Sequence, residues 1–132
     1  MATYTGDYAL ETLAPLFSDA GNVFGVIGTY DLATSMGAGD VIEIVRVPGG
    51  CKALCCLLDR GGTGVTVDIG TSDDADVLGN GVSSDGVVLD GLFETIGDTG
   101  EETTIQVTLG GAPTAAGTLT LAVLYINTNI KD

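Results

Sequence analysis

Apolar and polar residues alternate along several short stretches of the chain, and glycine or proline bounds most of them. Alternation over about four to eight residues is typical of a β-strand with one buried face. The chain is therefore predicted to be all-β, an antiparallel, jelly-roll-like sandwich of about seven or eight short strands. The predicted strands are Val41–Val47, Cys51–Leu58, Val65–Ile69, Val87–Ile96, Ile105–Leu109 and Leu119–Ile126, with Val23–Tyr30 as a further candidate.

The segments between these strands contain residues that favour turns. Pro48-Gly49-Gly50 suits a tight reversal, and the stretch 110–117 is predicted to be a hairpin loop. A bend is expected at Gly91. The loop 70–81 has room for a helical turn capped by Ser72 or Asp73.

Residues 1–22 are the least strand-like part of the chain, and we expect them to form an N-terminal arm before a single domain at 23–132. A short helical turn around 8–13, ended by Pro15, and an extended arm both fit the pattern. The start carries Asp7 and Glu11 without a basic segment, so it does not resemble a signal peptide. The arm offers large apolar side chains to a subunit or partner surface: Tyr4, Tyr8, Leu10, Leu13, Leu16 and Phe17.

Charge excludes two classes of partner. The chain has 132 residues, with 4 Lys and Arg against 18 Asp and Glu, and its formal net charge is −14. A nucleic-acid binder that neutralises phosphates needs clustered bases, and so does a polybasic membrane anchor. We therefore expect neither nucleic acid nor membrane as a partner. The uncharged stretch 103–130 is better explained by two strands and a turn than by a spanning helix.

The composition also argues against an enzyme. The chain contains no histidine, which excludes Ser-His-Asp and Cys-His sites and histidine metal sites. A pair of carboxylates remains available for glycosidase-type chemistry, but aromatic residues, the usual platforms for sugars, make up only 5%. We expect a protein without enzymatic activity and without a cofactor or metal.

Three cysteines, Cys51, Cys55 and Cys56, lie within six residues. On a regular strand, Cys51 and Cys55 share a face but lie about 13 Å apart, which is too far for a disulfide. We interpret them as reduced, mostly buried thiols of a protein made in a reducing cytoplasm. An intersubunit disulfide or thiol cluster is the alternative.

Two charged segments invite a functional reading. Arg46, Lys52 and Arg60 are the only basic residues before Lys131. Two interpretations are open: they form a docking patch for an acidic surface, or they only neutralise the charge of neighbouring acidic residues. The acidic loop Asp73–Asp76 suggests calcium because hard cations prefer carboxylate oxygens. Its spacing departs from the EF-hand pattern, so capping and solvation are the simpler explanation.

The chain resembles small structural proteins of tailed bacteriophages over roughly residues 38–127. The resemblance rests on AGDVIEIVRVPGG, on VTVDIGTSDDADVLG and on the closing TIQVTLGGAPTAAGTLTLAVLYI. It implies a β-sandwich that decorates, or cements, the outside of an icosahedral capsid. The implied partners are the major capsid protein and further copies of the same chain in a trimer. The implied location is the virion exterior, after synthesis in the host cytoplasm.

Two other functions remain open from the sequence. A tail-tube or head–tail connector protein belongs to the same phage setting, although such ring-forming proteins are normally longer. A sugar- or cell-surface-binding β-sandwich is the other alternative, and the absence of tryptophan disfavours it.

Overall fold

The computed structural model describes residues 23–98 and 100–126, and the fold is reported for these ranges. The expected arm at 1–22 lies outside them. The described residues form nine strands and no helix, so they contain no helical segment able to span a bilayer. The strands are β1 Val23–Leu32, β2 Val41–Pro48, β3 Cys51–Asp59, β4 Val67–Gly70, β5 Gly79–Val82, β6 Gly86–Val88, β7 Thr95–Ile96, β8 Glu102–Leu109 and β9 Gly117–Ile126.

The nine strands form two antiparallel sheets. The five-stranded sheet has the order β1-β9-β3-β6, with β7 also paired to β3. The four-stranded sheet has the order β2-β8-β4-β5. The side chains between the sheets make one hydrophobic core. The predicted all-β sandwich is confirmed.

Two strands with alternating patterns, β8 and β9, occupy central positions in the sheets. On β8, Ile105 and Val107 are fully buried, and on β9 so are Leu119, Leu121 and Val123. Each such side chain contributes about 1.5–3 kcal/mol relative to an exposed position. These strands were predicted with the correct buried face because the period of two sets which residues point inward.

The predicted hairpin loop at 110–117 is wrong. β8 belongs to the four-stranded sheet and β9 to the five-stranded sheet, so the loop crosses between sheets. The Pro48 turn likewise joins β2 to β3 across the sandwich, and the Gly49 amide donates to the carbonyl of Glu101 instead of closing a hairpin. Each of these connections therefore crosses the core and joins a strand of the four-stranded sheet to a strand of the five-stranded sheet.

The predicted strand Val87–Ile96 is also wrong in its middle. Its ends form β6 and β7, but the amides of Leu92 and Glu94 donate to the carbonyls of Leu89 and Gly91 in a tight turn. Phe93 adopts φ 64°, a region that bulky residues rarely occupy. A Cβ at Gly91 would collide with Leu78, so glycine permits this close approach.

Smaller differences concern the segment 65–82. β4 begins at Val67, two residues after the predicted start, and the edge strand β5, Gly79–Val82, includes the last residues of the predicted loop 70–81. The helical turn proposed near Ser72 is wrong. The Thr71 amide donates to the Asp74 carbonyl, and the Asp74 amide donates to Thr71 Oγ1, which closes a non-helical turn.

Candidate functional site

The structure separates the three bases of the predicted patch. Arg46 lies on β2 and Lys52 on β3, near the same end of the sandwich but in different sheets. Arg46 Nη1 is 3.6 Å from Glu102 Oε1, with both side chains well exposed. Lys52 Nζ donates to Thr95 Oγ1. An exposed ion pair such as Arg46–Glu102 contributes little to stability, and the hydrogen bond of Lys52 is also exposed, so both cations remain accessible to a partner.

Arg60 is placed differently. Arg60 directly follows the end of β3, eight residues after Lys52. At a rise of about 3.3 Å per residue, the two residues are about 26 Å apart along the strand. The Nε and the backbone amide of Arg60 donate to Asp85 Oδ1 at 2.9 and 3.0 Å, and its Nη1 donates to the Val65 carbonyl. The amide bond, followed by the guanidinium bond, lowers the pKa of Asp85. Arg60 thus ties two loops together and is not adjacent to the other two bases.

A surface that the sequence analysis did not single out lies on the outer side of the five-stranded sheet. Ile27, Ala122, Leu57 and Val87 are direct cross-strand neighbours, and they form an apolar row across four strands. The neighbouring rows add five more apolar residues. We call the whole surface the outer apolar face; it comprises Val23, Ile27, Leu54, Cys55, Leu57, Val87, Ala122, Leu124 and Ile126.

A β-bulge in β3 enlarges this face. The pairing with β9 shifts between Ala53 and Cys55, so that Leu54 and Cys55 together oppose Leu124. Cys51 and Ala53 therefore point into the core while Cys55 points outward. The prediction that Cys51 and Cys55 share a face is wrong for this reason.

The near-continuous apolar run of β3 was the available signal for this surface. A run of this kind predicts a strand buried on both faces, but Leu57 is 41% exposed within the described part of the chain. The row neighbours on the two edge strands are more open still: Val87 is 63% exposed and Ile27 is 70% exposed.

All three thiols are free. Burial raises the pKa of Cys51, and it raises the pKa of Cys56 to about 12, with the neighbouring Cys55 adding to the shift. Protonated, buried thiols are weak nucleophiles and poor metal ligands. Cys51 and Cys56 therefore act as small apolar core residues, as expected for structural thiols.

The acidic loop is a set of mutually interacting carboxylates. A side-chain hydrogen bond with Asp74 is the main cause that raises the pKa of Asp76. Within 23–98 and 100–126, no group of three or more ligating side chains is positioned to hold a metal ion. The loop borders a cleft of about 620 Å³ lined mainly by acidic and hydroxyl side chains, with no basic or aromatic side chain among its lining residues. The lining groups give that cleft no cation and no aromatic platform to bind an anion or a sugar.

Chains from two phage capsids share this fold. A chain of the cyanophage Pam1 capsid asymmetric unit matches with a TM-score of 0.62 and 23% identity, over 92% of this chain and 96% of that one. A chain of the capsid of Ralstonia phage GP4 matches with a TM-score of 0.64 and 22% identity, over 84% and 88%. Neither a protein-family model nor a curated protein matches the sequence.

This is a fold of phage capsid chains. At these identities the likeness concerns the fold, and it extends over nearly the whole of each compared chain. The resemblance to phage structural proteins is thereby confirmed at the level of the β-sandwich.

Proposed function

We propose that the protein is a non-enzymatic structural component of a phage virion, which binds the outside of an icosahedral capsid as a trimer and stabilises it. The observation that carries this proposal is the shared fold with chains of two phage capsids over most of their length. The partner is the major capsid protein, and the protein reaches it after synthesis in the host cytoplasm.

Charge and surface chemistry support a structural role. A net charge of −14 keeps free copies apart and soluble before assembly. The exposed apolar side chains of the outer apolar face are typical of an interaction surface. The described residues contain neither a metal cluster nor a histidine-based catalytic set.

We assign the capsid and subunit contacts to the arm Tyr4–Phe17 and to the accessible cations Arg46 and Lys52. Apolar burial by the arm supplies affinity that persists in salt, whereas the two cations orient the protein on an acidic shell. We expect Arg60 to contribute less to docking because it already forms an ion pair with Asp85.

The test is binding to purified, undecorated capsids. Wild-type protein is compared with a chain lacking residues 1–17 and with Arg46→Glu/Lys52→Glu. The truncated chain is expected to lose most of its binding at all salt concentrations. The double variant is expected to associate about tenfold more slowly at low ionic strength, with the difference shrinking as the Debye length falls to about 8 Å at physiological salt.

Arg46→Lys/Lys52→Arg is the matched control, since it preserves charge and should retain the wild-type rate. Circular dichroism of each variant checks that the sheets are intact. If the truncated chain saturates capsids as wild type does, the arm is not the anchor. If wild-type protein does not bind capsids, the proposed decoration role is wrong.

A further inference from the structure

The outer apolar face is uncovered by any described part of the chain. Four of its side chains, Val23, Ile27, Leu57 and Val87, are between 41% and 70% exposed. They lie among other apolar residues of the same sheet, so the exposure is contiguous. Soluble monomers rarely leave an apolar patch of more than a few hundred Å² open to water. A free protein that carries this face needs something to cover it.

The chain itself supplies a segment of suitable chemistry at the edge of this face. Val23 begins β1, belongs to the outer apolar face and pairs with Ile126. Twenty-two residues precede it, and the segment Tyr4–Phe17 contains six large apolar side chains. The intervening Ser18–Asn22 is polar or small and includes Gly21, which favours a chain reversal.

Reach and charge agree with docking on the same sheet. Fourteen residues span up to about 46 Å, whereas four strands are only about 14 Å across from first to last. The segment Tyr4–Phe17 carries two acids and no base. The end of the sheet where Val23 lies contains Lys52, and the opposite end contains Asp31 and Asp59. The acidic segment is therefore attracted to the end at which it enters the sheet.

We propose that, in the free protein, Tyr4–Phe17 folds back through Ser18–Asn22 and covers the outer apolar face of its own chain. A short tether gives the segment a millimolar effective concentration over this face, well above that of another copy. Covering two apolar surfaces with each other keeps the unassembled protein soluble. Binding to a shell through the arm then requires its release from the sheet.

Cysteine cross-linking in the full chain tests this placement. Cys55 is the native thiol of the outer apolar face, while Cys51 and Cys56 are buried. In Leu13→Cys protein treated with copper phenanthroline, we expect an intramolecular disulfide to Cys55, mapped by peptide mass spectrometry. The matched control combines Leu13→Cys with Cys55→Ser and Gln106→Cys, which moves the target thiol to the outer side of the four-stranded sheet. There we expect cross-linking at least tenfold slower.

A charge placed on the face gives a second readout. Ile27→Glu, in the Leu13→Cys chain, is expected to slow the cross-link tenfold or more by repelling the acidic segment. Val41→Glu places the same charge on an exposed apolar residue of the other sheet and should leave the rate unchanged. Thermal melting checks that both variants fold.

Three results would overturn the proposal: equal cross-linking to both sheets, no cross-link to Cys55, or a rate that Ile27→Glu does not change. Disulfide-linked dimers without the intramolecular product would show that the segment covers a neighbouring copy instead, and would also overturn it. Capsid binding by the wild-type protein is a separate measurement. Failure of the cross-link therefore does not count against the virion role, and failure of capsid binding does not count against the docked arm.

Discussion

The buried thiol of Cys56 makes the stability of the protein sensitive to alkaline pH. Cys56 is 2% exposed and lies between Val88 of β6 and Val123 of β9. Its pKa rises from 9.0 to about 12 on folding, mainly through burial. A group whose pKa is raised by folding stabilises fully below its unfolded pKa and loses that contribution as the pH rises through the folded pKa. The sensitive window therefore runs from about pH 9 to pH 12.

The magnitude follows from the size of the shift. Each pKa unit corresponds to about 1.36 kcal/mol, so deprotonation of Cys56 in the unfolded chain removes about 4 kcal/mol of folding free energy by pH 12. At pH 10 the loss is about 1 kcal/mol. Urea unfolding at pH 7 and pH 10, in the presence of a reductant, measures this difference. Wild type should lose about 1 kcal/mol more than Cys56→Ala between the two pH values.

Val123→Ala is the matched control. It removes volume from the same part of the core without removing a titratable group, so its free energy of unfolding should fall between pH 7 and pH 10 as much as that of wild type. The other titratable groups are the same in all three proteins and cancel in the comparison. If Cys56→Ala and wild type lose the same free energy, Cys56 is not buried in the protonated form and its placement in the core is wrong.

Two further predictions concern loops. Folding lowers the pKa of Asp85, so its bond to Arg60 should stabilise the protein above about pH 4, and this stabilisation should be lost as the pH falls through the folded pKa. The test is to measure the urea midpoint of unfolding as a function of pH in acid. Asp85→Asn should reduce the pH dependence of that midpoint, and an unchanged pH dependence would contradict the pairing. Gly61 and Gly62 both have positive φ, but only at Gly61 would a Cβ collide with the backbone of Thr118. Gly62→Ala should therefore cost about 1 kcal/mol of unfolding free energy and Gly61→Ala about 2 kcal/mol more, whereas equal costs would show that this close approach does not exist.

The alternating pattern predicted the fold class and most strands, but not the pairing of the strands. Alternation in β8 and β9 fixes which residues are buried, and it has the same form whether the next strand joins the same sheet or the opposite one. The hairpin predicted at 110–117 was wrong for that reason. The interruption of Val87–Ile96 depends on Gly91 lying against Leu78, a tertiary contact that leaves no local period.

The candidate site was predictable only in part. The positions of Arg46 and Lys52 near one end follow from a turn between two strands, whereas Arg60 pairs with Asp85, 25 residues later in the chain. The outer apolar face depends on the bulge at Leu54. Because of this extra residue, Cys51 and Ala53 point into the core while Cys55 points outward. A single inserted residue of this kind cannot be located from a run in which nearly every residue is apolar.

The central position of β9 has a consequence for synthesis. β9 lies between β1 and β3, so these strands have no shared partner until residues 117–126 have left the ribosome. β1 can therefore pair only with a strand about ninety residues later in the chain. Bringing such distant strands together is slow, because the loss of chain entropy on loop closure precedes the contacts that compensate for it. The five-stranded sheet can consequently assemble only after β9 has been translated. Until then β1 and β3 present unpaired edges, and nascent chains crowded on one messenger RNA are at risk of pairing with each other.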